Sequence, residues 1–270
     1  MLKPENFFDL SKSMFRDLFV GVEYVWEALN YLKGYLNDNL DANVQVMRSG
    51  SHCIEKTTVL HDGSVLTGGF MIDYKENKKV VMRNGQVMEG ASIVYAGAYL
   101  MDDLIQIGKN SIIEPGALVK GPTIIGDGTE IRHGAYVRGY ALIGHNCVVG
   151  HTTEMKSSVM LGGSKAGHFA YIGDSILGRV NLGAGTKLAN LKLFDSPVIL
   201  EIERRSYETG LRKVGAVMAD GVETGCNSVT MPGTMLGKNV LVYPNATVRG
   251  YIPPHTVVKV KPDHHTVNME

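Results

Sequence analysis

Aliphatic side chains recur at every sixth position through the middle of this chain. The positions are Ile107, Ile113, Val119, Ile125, Ile131, Val137, Ile143, Val149, Met155 and Leu161. Neither the period of a helix, about 3.6 residues, nor the period of a simple strand, about 2, produces this spacing. It predicts a mainly β fold, a parallel solenoid in which each coil has three flat faces of six residues. The aliphatic residue of each face fills the interior, and residues 18 apart lie directly above one another at about 4.8 Å.

The repeat also predicts where the solenoid begins and ends. The spacing shortens to five at Ile172, Leu177 and Leu182, and it resumes more weakly from Met218 onward. Residues 191–213 interrupt it with charged residues and a proline, which predicts a loop extruded from one corner. We therefore assign 106–260 to the solenoid, with an insertion at 191–213, and 261–270 to a C-terminal tail.

The residues before the repeat divide into two parts. Apolar residues from Phe15 to Leu32 follow three- and four-residue spacing, which predicts a helix over 7–36 that docks through one apolar stripe. Gly21 and Gly34 weaken this helix, so it can be split or ended at either of them. We assign 1–40 to this N-terminal helical segment. The dipeptides Asp62-Gly63 and Asn84-Gly85 are strong hairpin signals, and they predict an irregular β region over 41–105.

Composition argues against several classes of protein. The 27 basic residues balance the 27 acidic ones, so no global charge draws the chain to nucleic acid or to an anionic membrane. No uncharged run approaches the roughly 18 residues that cross a bilayer. The three cysteines form no CxxC pair, which favours a reducing cytoplasm over secretion. His133 and His151 lie one coil apart without a third histidine at suitable spacing, so we expect no metal site.

A column of basic residues follows from the repeat alone. Lys120, Arg138 and Lys156 are 18 residues apart, so the predicted coils stack them along one edge. Like charges about 5 Å apart repel by roughly 1 kcal/mol in water, and by more where solvent is thinned. The column predicts a bound anion at this edge, and a solvated edge with splayed side chains is the alternative.

Four motifs in the second half of the repeat resemble one family. They are Glu154-Met155-Lys156, the GSKAGH run at 163–168, the YIGD run at 171–174, and the VNLGAGT run at 180–186 followed by Asn190. The order of these motifs resembles the hexapeptide acyltransferases of the left-handed parallel β-helix class. The match is closest to the glucosamine-1-phosphate N-acetyltransferase domain of the bifunctional enzymes that make UDP-N-acetylglucosamine, and it covers roughly 107–260.

The resemblance implies a role for each matching residue. His168 matches the general base, and Glu154 matches the carboxylate that orients it. Histidine suits the task because its side chain changes protonation near neutral pH. Substrate contacts are implied for Arg138 and Lys156 at the sugar phosphate, for Tyr171 and Asn181 at the acceptor, and for Asn190 and Lys213 near the acetyl group or across the subunit cleft. Coenzyme contacts are implied for Ala184 and for Cys226, which stands where the family usually has serine.

The sequence also departs from the family in two places. Residues 1–105 carry no glycine-rich nucleotidyltransferase loop, so we do not expect uridylyl transfer from this chain. The 191–213 loop is longer than its family equivalent.

The resemblance therefore implies an acetyl-CoA-dependent N-acetyltransferase acting on an amino-sugar phosphate. We expect a cytoplasmic homotrimer, because one prism has too narrow an interior to hold a coenzyme and the cleft must lie between prisms. Two alternatives stay open: a non-catalytic trimeric scaffold or partner of a separate sugar nucleotidyltransferase, and a transferase with another acyl donor or acceptor.

Overall fold

A computed structural model describes residues 2–48, 50–76 and 78–261. Its helices are short: α-helices at Pro4–Phe7, Ala28–Asn39 and Gln45–Arg48, and 3-10 turns at Leu10–Lys12, Arg16–Phe19 and Val25–Glu27. The helix predicted over 7–36 is therefore split, which Gly21 left open, whereas Gly34 lies inside the helix Ala28–Asn39 and does not end it. Gly21 has φ +77°, a left-handed conformation that no helix continues through.

Parallel strands build three faces of a solenoid with about nine coils, which confirms the predicted fold class. Face 1 consists of Ser92–Val94, Ile112–Ile113, Glu130–Ile131, Val148–His151, Lys165–His168, Asn181–Leu182, Glu223–Thr224, Leu241–Val242 and Val257–Val258. Face 2 consists of Tyr99–Leu100, Leu118–Val119, Tyr136–Val137, Glu154–Lys156, Tyr171–Gly173, Lys187–Leu188, Val229–Thr230 and Thr247–Val248. Face 3 consists of Ile105–Ile107, Thr123–Ile125, Ala141–Ile143, Ser158–Met160, Ile176–Leu177, Ala216–Met218, Thr234–Leu236 and Tyr251–Ile252.

The interior column confirms the six-residue spacing from Ile107 to Met155, all of which are buried in one core cluster. The tenth position is wrong: Ile143 pairs with Met160, only 17 residues on, and Met160 fills the interior. Leu161 instead packs outside the solenoid, in the cluster formed with the N-terminal segment. The next two coils are thus shorter, since Met155 pairs with Ile172 and Ile172 with Leu188, and the 18-residue spacing returns where Thr230 pairs with Val248.

The N-terminal segment covers face 3. Six of its eight outward side chains are apolar and buried, whereas Gln106 and Tyr251 at the two ends are half-buried; the six are Ile124, Leu142, Val159, Ile176, Val217 and Met235. They share a core cluster with Phe7, Phe15, Trp26 and Leu36, so the docking predicted for the apolar stripe is confirmed.

The insertion at 191–213 adds to the same cover. Its strands Ile199–Ile202 and Arg205–Glu208 form an antiparallel hairpin. The Tyr207 ring lies 5.5 Å from the ring of Tyr24 and 5.9 Å from that of Trp26. The insertion is therefore folded against the N-terminal segment over much of its length.

Two antiparallel units precede the first coils. Strands Thr58–His61 and Ser64–Leu66 pair across Asp62-Gly63 and extend face 1, and Lys78–Arg83 pairs with Gln86–Val87 across Asn84-Gly85. Met71–Lys75 completes the second unit. Both predicted hairpins are confirmed. The first parallel strand of face 1 is Ser92–Val94, so coiling begins ahead of the predicted boundary at 106. Of the predicted tail, 262–270 lies outside the described residues.

Among the residues described, no helix combines the length and the apolar character needed to cross a bilayer.

Candidate functional site

Polar side chains concentrate on three neighbouring strands of face 2. Tyr136, Glu154 and Tyr171 occupy the same outward position on successive coils, because Tyr136 pairs with Glu154 and Glu154 pairs with Tyr171. Arg138 follows the strand Tyr136–Val137 and Lys156 ends the strand Glu154–Lys156, both at the edge toward face 3. We call this group the face 2 edge.

The basic column stacks as predicted, but its charges are compensated. Arg138 Nη1 donates to Glu154 Oε1 at 2.7 Å, and this hydrogen bond raises the pKa of Arg138. Lys120 Nζ lies 5.4 Å from the centre of the Tyr136 ring, and the Arg138 guanidinium carbon lies 5.9 Å from it. The positive charges of the column therefore repel one another less than the sequence predicts, because the Glu154 carboxylate neutralises Arg138.

Lys156 has a carboxylate partner of its own. Its Nζ lies 3.0 Å from Asp174 Oδ2, and each side chain is only 17% exposed. Asn190 Nδ2 also donates to Asp174 Oδ2. Sequence reasoning placed Asp174 in a motif without a role. Its position 18 residues after Lys156, about one coil, is the signal that points to the pairing.

Gly173 makes room for Tyr171 and Asn190. A methyl group at Gly173 would lie 2.6 Å from Tyr171 Oη and 2.8 Å from Asn190 Nδ2, so no larger side chain fits without movement. Burial raises the pKa of Tyr171, the carboxylates of Glu154 and Asp174 raise it further, and the Lys156 ammonium opposes them. Tyr171 therefore keeps its hydroxyl proton at neutral pH and can donate it in a hydrogen bond.

His168 ends the strand Lys165–His168 on face 1, beside the corner at Phe169. Its side chain is exposed, and its ring lies 6.1 Å from that of Phe169. Glu154 lies on face 2, where its carboxylate accepts a hydrogen bond from Arg138. Within the described part of this single chain, no hydrogen bond joins Glu154 to His168.

The histidine pair lies on the same side of the solenoid as His168. The rings of His133 and His151 stack 5.6 Å apart, and His151 pairs with His168 on the next coil. His133 Nδ1 lies 2.6 Å from the Pro115 carbonyl oxygen, and His151 Nδ1 lies 2.8 Å from that of His133. Among the described residues, no three histidine, cysteine, aspartate or glutamate side chains lie close enough together to hold a metal ion.

The remaining predicted residues lie on face 1, in the turns between face 1 and face 2, and at the base of the insertion. Asn181 is exposed on face 1 and pairs with Lys165. Lys213 is exposed and forms an isolated bridge with Leu191 at the base of the insertion. Ala184 and Cys226 lie on adjacent coils, since the Asn227 amide donates to the Ala184 carbonyl at 2.8 Å.

The structure thus joins part of the predicted site. Five of the predicted residues form one cluster with Asp174, and they are Arg138, Glu154, Lys156, Tyr171 and Asn190. The other five are not hydrogen-bonded to that cluster within the described residues, and they are His168, Asn181, Ala184, Lys213 and Cys226.

A cavity of about 950 Å³ lies elsewhere, between face 1 and the strands at 71–87. Lys79, Glu114, Glu130 and Arg132 line it, and it includes none of the predicted site residues. The predicted site residues line no such cavity because the face 2 edge is an open surface of one prism. Such a surface encloses little volume until another molecule covers it.

The sequence is similar to parts of several curated proteins. It is 39% identical over 98 residues to a bifunctional sugar-1-phosphate nucleotidylyltransferase/acetyltransferase of Sulfurisphaera tokodaii, covering 36% of this chain and 24% of that protein. It is 36% identical over 111 residues to the bifunctional protein GlmU of Methanococcus maripaludis, covering 41% and 27%. The chain thus spans about a quarter of the length of these relatives. They confirm the resemblance drawn from the motifs.

Among solved structures, a UDP-N-acetylglucosamine acyltransferase of Francisella novicida matches with a TM-score of 0.29 and 18% identity, covering 62% of this chain and 64% of that one.

The family model described as the GMPPB C-terminal domain matches residues 119–267, which is more than half of the chain. The chain therefore belongs to the GMPPB C-terminal domain family.

Proposed function

We propose that this chain is an acetyl-CoA-dependent N-acetyltransferase whose acceptor is an amino-sugar phosphate. The observation that carries the proposal is the face 2 edge, where a guanidinium and an ammonium lie on adjacent coils within one polar cluster. The motif resemblance and the curated relatives support the same chemistry.

The proposed reaction needs one proton acceptor and one leaving thiol. The acceptor's ammonium group loses a proton to His168, and the free amine attacks the thioester carbonyl. The amide bond then forms as the carbon–sulfur bond breaks, and the second proton lost by the nitrogen passes to the released coenzyme as its thiol. The exposed ring of His168 is accessible to such an ammonium group.

Arg138 and Lys156 are assigned to the sugar phosphate. A guanidinium can grip two phosphate oxygens, whereas an ammonium offers one point charge, so Arg138 should contribute more of the affinity. Glu154 holds Arg138 in place and, by resemblance, orients His168 in the assembled site. Tyr171, Asn181, Asn190 and Lys213 complete the acceptor contacts.

Ala184 and Cys226 are assigned to the coenzyme. They lie on adjacent coils, Ala184 half-buried and Cys226 exposed, so this edge can accept an extended chain along the solenoid axis. We further propose a cytoplasmic homotrimer, in which the neighbouring prism covers the open edge and completes the cleft.

The test is thiol release from acetyl-CoA across a panel of amino sugars and their 1-phosphates. His168→Ala should lower turnover by about 10²–10⁴-fold while folding and coenzyme affinity are kept. His133→Ala is the matched control, because it removes an exposed histidine that the proposal does not use. No thiol release by the wild type with any acceptor would favour the scaffold alternative. Undiminished turnover of His168→Ala would remove this residue as the base.

The same panel tests the phosphate contact. Arg138→Ala should raise KM for a phosphorylated acceptor and leave KM for acetyl-CoA unchanged. An amino sugar without phosphate should bind the wild type weakly and lose little more in the variant. Equal losses for both kinds of acceptor would mean that Arg138 has only a structural role.

A further inference from the structure

We propose that Asp174 is a positioning residue that couples the Lys156 ammonium to the base of the 191–213 insertion. The inference rests on the proposed function for its meaning, since Lys156 is a proposed phosphate ligand. The coupling itself is a property of the free chain.

The side chain of Asp174 connects two elements that are distant in sequence. One oxygen, Oδ2, forms an ion pair with Lys156 Nζ at 3.0 Å and accepts a hydrogen bond from Asn190 Nδ2. Asn190 is 8% exposed, and it is the last residue before the insertion leaves the solenoid. A charged hydrogen bond in such a half-enclosed place is worth more than one on the open surface.

The main chain of Asp174 binds the other end of the insertion. Its N–H donates to the Lys156 carbonyl at 3.1 Å, and its carbonyl accepts from the Gly215 amide at 2.7 Å. Its φ of +48° lies in the left-handed region, which aspartate tolerates better than most side chains. The turn at this corner therefore favours a short side chain that can also reach Lys156.

Two contacts close the base of the insertion around these bonds. The Val214 amide donates to the Asn190 carbonyl at 3.0 Å, and Leu191 forms a bridge with Lys213. The departing and returning segments are thus held to each other and, through Asp174, to the strand that carries Lys156. Lys213, a second proposed site residue, projects from this base.

The arrangement implies a reciprocal effect. Removing the Asp174 charge leaves the Lys156 ammonium without its carboxylate and frees the Asn190 amide. Removing the Lys156 charge leaves a half-buried carboxylate unpaired beside the same amide. If both changes act through one contact, the losses of stability that they cause at the base of the insertion are not additive.

The test is native-state amide exchange of Val214 and Gly215 in the free chain, without substrate. Asp174→Asn and Lys156→Met should each speed exchange at these amides by about 10-fold or more, and the double variant should exchange no faster than the more affected single one. Asp220→Asn is the matched control, because Asp220 also accepts two main-chain hydrogen bonds, from Asp9 and Arg179, at another corner. It should leave Val214 and Gly215 unchanged.

Unchanged exchange in Asp174→Asn, or strictly additive effects in the double variant, would overturn the coupling. If Asp174→Asn does not fold, Lys156→Met alone decides, and unchanged exchange there contradicts the proposal. Because no substrate is present, the coupling can hold in a chain that releases no thiol, and that combination would reject only the proposed function. In an active chain, Asp174→Asn should raise the acceptor KM and spare the coenzyme KM.

Discussion

Face 3 and face 2 are built on the same coils, yet the chain treats their outer surfaces in opposite ways. On face 3 the outward residues Ile124, Leu142 and Val159 are buried under the N-terminal segment. On face 2 the corresponding residues Tyr136 and Glu154 belong to an open polar cluster. One face is closed by the chain itself, and the other stays available to a ligand or a second subunit.

The comparison of the two faces separates the side chains that specify the fold from those that are available for binding. The inward residues of both faces are aliphatic or small and fill one interior, so they specify the solenoid and nothing more. The outward residue decides whether a face packs or binds. In a chain of this kind, the outward column separates structural faces from functional ones.

The largest expected effect concerns the cover on face 3. Trp26 is 2% exposed and stacks on Tyr24 at 4.9 Å, so Trp26→Ala should lower the free energy of unfolding by about 3–5 kcal/mol. Tyr31→Ala is the control, because Tyr31 is 55% exposed, and it should change stability by less than about 0.5 kcal/mol. Equal losses in denaturant titrations would show that the cover does not protect face 3.

A smaller effect should appear on face 2. The methyl group of Gly173→Ala collides with Tyr171 and Asn190, and we expect a loss of about 1–3 kcal/mol together with a raised acceptor KM. Gly167→Ala lies next to His168, where an added methyl group meets no atom within 4 Å, so it should be nearly neutral. Denaturant unfolding and acceptor kinetics measure both variants. A neutral Gly173→Ala would mean that the cluster is looser than described.

The interior shared by both faces predicts a pH dependence. Burial raises the pKa of Cys147 to about 12, so the native chain keeps this thiol proton at a pH where the unfolded chain loses it. Above about pH 9 this group should therefore lower the free energy of unfolding by about 1.4 kcal/mol per pH unit. Cys147→Ala should remove that part of the slope between pH 9 and 10.5. Identical slopes in wild type and Cys147→Ala would contradict a dry interior at this coil.

The smallest expected effect concerns the coils after Met218, where the six-residue spacing is less regular. Thr230 occupies an interior position, and its buried hydroxyl has no hydrogen-bond partner among the described residues. Thr230→Val should stabilise the chain by about 1 kcal/mol, because an unsatisfied buried hydroxyl is replaced by a methyl group. Thr224→Val is the control: the Thr224 hydroxyl lies 2.8 Å from that of Thr186, so its removal should not stabilise. A destabilised Thr230→Val in thermal unfolding would mean that its hydroxyl is paired in solution.

The interior of the solenoid could be predicted from sequence because one side chain per face must fill it. The six-residue spacing identified Ile107 through Met155 correctly for that reason. It failed at Leu161 because both Met160 and Leu161 are apolar, and a 17-residue coil moves the interior position by one. Apolar spacing also suggested one long N-terminal helix. A sequence of short turns buries the same stripe, and the spacing does not distinguish the two.

The candidate site was harder to predict because its contacts run between coils. The stacking of Arg138 on Lys156 follows from the 18-residue interval, but their carboxylate partners depend on which side chains share an edge. Glu154 was expected to serve His168 and is bonded to Arg138 instead in the single chain. Asp174 received no role, although it holds Lys156 and Asn190 together.

The central claim is that the face 2 edge binds the acceptor while face 3 is closed by the chain itself. A crystal structure with glucosamine 1-phosphate tests it most directly. We expect the phosphate group to lie within hydrogen-bond distance of the Arg138 guanidinium and the Lys156 ammonium. The N-terminal segment should still pack on Leu142 and Val159. Phosphate bound instead in the 950 Å³ cavity beside Lys79 and Arg132, with the face 2 edge empty, would contradict it.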